Sequence, residues 1–169
     1  ARTAIRDAAR RCAGHPAVFA ISVVNEIPAD IVRWSGADAV ARFIDDLVSE
    51  VKAVDRGLLC TFGNFPPTEF LRPRQPDFFC WNVYLHQPRP FENYLARLQM
   101  LADTRPLLLG EFGMDSLRET ETQQAETLAW QIEAAFRAGC AGAVCYAFTD
   151  DWFKDGRQVE GWAFGLVSR

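Results

Sequence analysis

An α/β fold with a parallel sheet is predicted by three observations on this 169-residue chain. Short apolar runs at 18–24, 58–62, 78–85, 107–110 and 142–148 alternate with stretches whose apolar residues recur every third or fourth position. The segments between the runs are long enough for right-handed parallel crossovers. Polar and aromatic residues gather just past successive runs, not in one glycine-rich turn.

Taken in order, Ile5, Ala8, Ala9 and Cys12 mark a first helix that Gly14-His15-Pro16 stops, which gives His15 a structural role. Residues 18–24 read as a strand buried on both faces. Val40, Phe43, Ile44, Leu47, Val48, Val51 and Val54 form a helical stripe, with Ser35 or Asp38 as its cap and Asp55-Arg56-Gly57 as its end. Residues 58–62 are the second strand, Pro66-Pro67-Thr68 opens a short turn, and residues 78–85 are the third strand, with Trp81 in the core. Phe91, Tyr94, Leu95, Leu98 and Leu101 define a helix with Pro90 at its start. Residues 107–110 form the fourth strand; Ala125, Leu128, Ala129, Ile132, Ala135 and Phe136 lie on a long helix that Gly139 ends. Residues 142–148 are the fifth strand.

Composition narrows the classes. Apolar residues at 49% and charged residues at 24% describe a globular chain. A net charge of −4 offers no electrostatic attraction to nucleic acid or an anionic membrane. No apolar run approaches the roughly 20 residues that span a bilayer. The first residues do not resemble a signal peptide. Cys12, Cys60, Cys80, Cys140 and Cys145 show no CxxC spacing and sit mostly in apolar runs, so neither a metal nor a disulfide framework is expected. Reduced thiols fit a cytoplasmic location.

Two architectures remain, a doubly wound sheet and a (β/α)8 barrel. No GxGxxG or GxxxxGKS is present. The chain instead places Asn25 and Glu26, Asn64, Tyr84 and His86, Glu111, and Thr149 to Asp151 after successive strands, as barrel enzymes do. A complete barrel takes about 250 residues, so residues 1–169 are expected to be a single C-terminal portion of a TIM-barrel catalytic domain, holding strands four to eight.

The chemistry lies in Asn25-Glu26 and in Gly110-Glu111-Phe112-Gly113. A carboxylate at the tip of a buried strand costs several kcal/mol unless it is paired; two such glutamates suggest a catalytic pair. Together with the aromatic strand ending at Tyr84, these motifs resemble glycoside hydrolase clan A, most of all the family 2 catalytic barrel of β-galactosidase, β-glucuronidase and β-mannosidase type. The resemblance covers about residues 14–169, including 161–169, which is similar to the return segment after the last strand. It implies that Glu26 is the general acid/base, Glu111 the nucleophile, Tyr84 the hydrogen-bond partner of that nucleophile and Asn25 a contact to the sugar 2-hydroxyl. His86, just past Tyr84, could contact substrate or serve a surface or capping role, and Tyr146, Phe148 and Trp152 compete for the stacking position of the eighth strand. If Glu26 ends the fourth strand of the barrel, counting forward makes Glu111 the end of the seventh.

The implied activity is retaining hydrolysis of a β-linked sugar, with carbohydrate as the partner and no cofactor. A structural role competes for each residue. Glu26 could cap the 29–33 turn, Glu111 could pair with Arg105 or Arg118, Tyr84 could be a core ring and Asn25 a turn residue. Asp150 and Asp151 could line the cleft or only its rim. Two other functions stay open, a non-catalytic glycan-binding or inactive barrel fragment and an endo-acting β-glucanase or β-mannanase. A barrel lacking strands exposes sheet edges, so the chain is expected to form a homodimer or to need the missing barrel half, and to be weakly active or inactive alone.

Overall fold

The computed structural model describes residues 1–168. Five strands, β1 (Ala20–Asn25), β2 (Leu59–Asn64), β3 (Phe79–Asn82), β4 (Leu107–Phe112) and β5 (Gly142–Cys145), follow one another in sheet order as in sequence. The β1–β2, β2–β3 and β4–β5 pairs are parallel. This is the α/β, partial-barrel topology expected from the sequence. The chain divides into two compact units, residues 1–81 with 104–106, and residues 82–103 with those from 107 on.

In the first unit, α1 (Arg2–Cys12) and α3 (Ala37–Val54) pack together, and α3 covers β1 and β2. The 3,4-spaced stripe makes this contact: Val40, Ile44, Leu47, Val48 and Val51 are buried, while Phe43 lies at the flank, 39% exposed. The Arg2–Asp46 and Arg6–Glu50 ion pairs at the α1–α3 seam are exposed or half exposed, so burial of the stripe outweighs them. Neither Ser35 nor Asp38 caps α3. Ser35 ends α2 (Ala29–Ser35), and Gly36, at φ 88°, is the N-cap with no side-chain bond. Two abutting helices leave one residue for the reversal, and glycine takes that conformation without strain.

The reading of residues 18–24 as a strand buried on both faces is corrected. Ile21 and Val23 are buried, but Ser22 and Asn25 are exposed, and Phe19 precedes the strand at 66% exposure. β1 stands at the end of the sheet order and α3 covers one face, so alternate residues stay uncovered. β3, whose four residues are all buried, includes Trp81 at 2% exposure. Arg105 stacks over Phe79 at 4.4 Å and donates to the Pro76 carbonyl.

In the second unit, α4 (Pro88–Ala102), with a proline in its first turn, packs on α5 (Glu121–Arg137). Phe91 meets Trp130 edge to face at 5.4 Å. A capping box between Thr120 and Gln123 fixes the start of α5. The fully buried Gln131 donates to the Leu85 carbonyl. β4 buries Leu107, Leu109 and Phe112. β5 is shorter than the expected 142–148 strand. Beyond Cys145 the backbone bonds to the 164–167 segment: Ala147 N donates to Phe164 O, Leu166 N to Ala147 O and Val167 N to Phe148 O. A two-residue hairpin, β6 (Phe153–Lys154) and β7 (Arg157–Gln158), lies between.

Candidate active site

The Asn25–Glu26 end of β1 is shaped by a register shift against β2 between Ser22 and Asn25. Ser22 Oγ donates to Val24 O at 3.0 Å and accepts from Gly63 N at 3.1 Å, and Glu26 N donates to Gly63 O at 2.9 Å. Glu26 takes φ 43°, the left-handed region that costs a residue with a Cβ about 1–3 kcal/mol. The N-cap of α2 is Pro28, with no side-chain cap, so Glu26 does not cap that helix. Asn25 is exposed and Glu26 half-buried. A Cβ on Gly63 would fall on Asn25 Oδ1, so glycine here leaves the Asn25 side chain its place.

The other set of residues surrounds the end of β4. Tyr84 Oη donates to Glu111 Oε2 at 2.9 Å. Val83 N bonds Glu111 O at 2.8 Å, which holds the two residues in register. Neither arginine named as an alternative is diverted from its own partners: Arg105 is stacked on Phe79, and Arg118 lies 3.6 Å from Asp115. His86 Nε2 bonds the Gly113 carbonyl at 2.9 Å, so Nε2 carries the proton. Burial and the nearby Glu111 charge raise the Tyr146 phenol above its usual range.

The candidate stacking residues separate. Tyr146 and Trp152 meet edge to face at 5.5 Å, whereas the Phe148 ring is 75% exposed. Two rings that sequence reasoning missed complete the cluster. Phe164 contacts Tyr84 at 5.9 Å and Tyr146 at 5.6 Å, and Trp162 contacts Trp152 and Phe164. The period-two spacing of Trp162 and Phe164 was the available signal.

Two recesses adjoin this cluster. One, of about 370 Å³, is lined by Tyr84, His86, Met114, Asp115, Arg118, Glu119 and Phe164. A much smaller cleft of about 10 Å³, room for a single water, lies among Tyr146, Asp150, Trp152, Trp162 and Phe164. Aromatic walls with a few convergent polar groups suit a sugar, whose C–H faces stack while its hydroxyls hydrogen-bond. Among the described residues no group of His, Cys, Asp or Glu is placed to hold a metal, and all five cysteines are free.

No protein-family model matches the chain, and no curated protein sequence does. Solved structures do match. A Bacteroides uniformis β-glucuronidase superposes with a TM-score of 0.82 at 17% identity, over 99% of this chain and 23% of that one. The β-D-glucuronidase of Dictyoglomus thermophilum gives 0.76 at 20% identity, over 99% and 32%. A family 2 β-galacturonidase from Eisenbergiella tayi, bound to galacturonate, gives 0.74 at 19% identity, over 99% and 33%. The chain is therefore similar in fold to part of these glycosidases, and spans a quarter to a third of their length.

Proposed function

We propose that residues 1–169 are the C-terminal portion of the catalytic barrel of a retaining glycoside hydrolase acting on a β-linked sugar. The observation that carries this reading is the Tyr84 hydroxyl on Glu111 at the tip of β4, within a fold like that of β-glycosidases. A hydrogen bond from a neutral phenol favours the ionised carboxylate that a nucleophile must be.

In the first step a Glu111 oxygen attacks the anomeric carbon while the Glu26 carboxyl gives its proton to the departing oxygen. In the second, the Glu26 carboxylate takes a proton from water. That water attacks the same carbon and releases Glu111, so the configuration is retained. Asn25 contacts the sugar 2-hydroxyl, and Tyr146 and Trp152 offer ring faces to it. The reaction needs no cofactor. The free thiols fit a reducing, cytoplasmic setting, and no helix of the described residues is long and apolar enough to cross a membrane.

The test is labelling with aryl 2-deoxy-2-fluoro-β-glycosides, which lets the glycosyl-enzyme accumulate. A mass increase on the peptide carrying Glu111, lost in Glu111→Gln, is expected. An adduct on another residue, or unchanged hydrolysis by Glu111→Gln, would dismiss the assignment. A second reading is glycan binding without turnover, favoured by the aromatic cluster of Tyr146, Trp152, Trp162 and Phe164; sugar would then protect the chain against unfolding while no adduct forms.

A further inference from the structure

The segment 161–168 makes an unusual set of bonds around one side chain. Asp115 Oδ1 accepts from Ala163 N at 3.2 Å, and Asp150 Oδ1 accepts from Gly165 N at 2.7 Å. The backbone amides immediately before and after Phe164 are thus each held by an aspartate from a different loop. Asp115 is 5% exposed and also accepts from Leu117 N. The Ala163 carbonyl receives Ser116 N and Gln124 Nε2, and the Phe164 carbonyl receives Ala147 N. Gly165 leaves no room for adjustment, since a Cβ there would stand 2.6 Å from Asp150 N and Val167 O.

What this fixes is the half-buried Phe164 ring. It meets Tyr84 edge to face at an interplanar angle of 86° and Tyr146 at 63°. Both phenols are coupled to Glu111, Tyr84 by its hydrogen bond and Tyr146 by the carboxylate's charge. A ring packed against the side of Tyr84 limits its swing about χ1 and χ2, and so fixes where its hydroxyl points.

We propose that Phe164, clamped by Asp115 and Asp150, is a positioning residue that holds the Tyr84 hydroxyl on Glu111. Its catalytic consequence rests on the reading of Glu111 as nucleophile; its geometry does not. With Phe164 no longer held, the Tyr84 ring loses that edge-to-face contact and its hydrogen bond competes with water.

The experiment is a double-mutant cycle read by ¹⁹F NMR on the full chain carrying 3-fluorotyrosine. The three resonances, from Tyr84, Tyr94 and Tyr146, are assigned with Tyr→Phe variants. Glu111→Gln shifts the Tyr84 resonance in the native background. With Phe164→Leu, more than half of that Glu111-dependent shift is expected to be lost, and Phe164→Tyr, which keeps the ring, is expected to retain it. An equal Glu111-dependent shift in Phe164→Leu would overturn the proposal. Should Phe164→Leu fail to fold, Asp150→Ala, which removes the acceptor of Gly165 N, decides by the same criterion, with loss expected and no change overturning. Failure of fluoroglycoside labelling would sink the nucleophile assignment while leaving this cycle intact.

Discussion

The Tyr84 hydroxyl and the Glu111 carboxylate, separated by 27 residues in sequence, lie 2.9 Å apart because Val83 N and Glu111 O are bonded one residue earlier. The backbone bond sets the register, and the side-chain bond follows from it. A hydrogen bond to a charged group contributes about 1.5–3 kcal/mol. Where the enzyme turns over an aryl β-glycoside, Tyr84→Phe is therefore expected to lower kcat by about ten- to a hundredfold, with KM changed much less. A Tyr84→Phe enzyme with unaltered kcat would remove Tyr84 from the machinery.

Two glycines separate stability from function. A Cβ on Gly113 would meet the Tyr146 carbonyl, a backbone atom that cannot move aside cheaply, whereas on Gly63 it would meet the Asn25 side chain, which can rotate away. Gly113→Ala is expected to cost about 1–3 kcal/mol in urea unfolding. Gly63→Ala is expected to cost less but to displace Asn25, lowering activity in a well-folded protein. Equal stability losses in the two variants would contradict this difference.

Burial raises the Cys60 thiol from its ordinary 9.0 to about 11, with Lys52 partly opposing and Asp77 adding to the effect. The folded state then holds this proton more tightly than the unfolded chain does. The corresponding stability is fully present below about pH 9 and is lost as pH rises towards 11. Urea midpoints measured between pH 8 and 11 are expected to fall more steeply for the native chain than for Cys60→Ala. Parallel curves would show that Cys60 stays protonated to the same extent folded and unfolded.

The α5–β5 surface exposes Phe136 at 86% and Ile132 at 52%, beside Ala143 and Cys145 of β5. With β5 at the end of the sheet order, this is an apolar patch beside an open strand edge. Association of the isolated chain is expected in sedimentation velocity, through a second copy or through the rest of a barrel when that is supplied. Phe136→Glu should weaken the self-association. A native chain that stays monomeric at high concentration would show that the patch tolerates water.

The titration of Tyr146 offers a check that does not require substrate. Glu111→Gln removes one of the two causes that raise the phenol and leaves burial, the larger one. The ultraviolet difference titration of Tyr146 should move down in pH in that variant yet stay above the range of an exposed tyrosine. No movement would place the Glu111 charge too far away to act.

Much was legible in the sequence because periodicity reports local burial. The α3 stripe, the order of strands and helices, and the glutamates at strand ends all follow from apolar spacing and from where it stops. The Tyr84–Glu111 contact was readable only through the family resemblance. The exposed face of β1 and the early end of β5 were misjudged, since each depends on what a remote segment does or does not cover, and the start of α3 because α2 runs up to the single residue Gly36. Only the tertiary structure revealed that Asp115 and Asp150 close on the amides beside Phe164, that Gly63 yields to Asn25, and that Glu26 sits at φ 43°. Hydrogen bonds and steric clearances between segments far apart in the chain leave no period in it. They exist only once packing has brought the partners together.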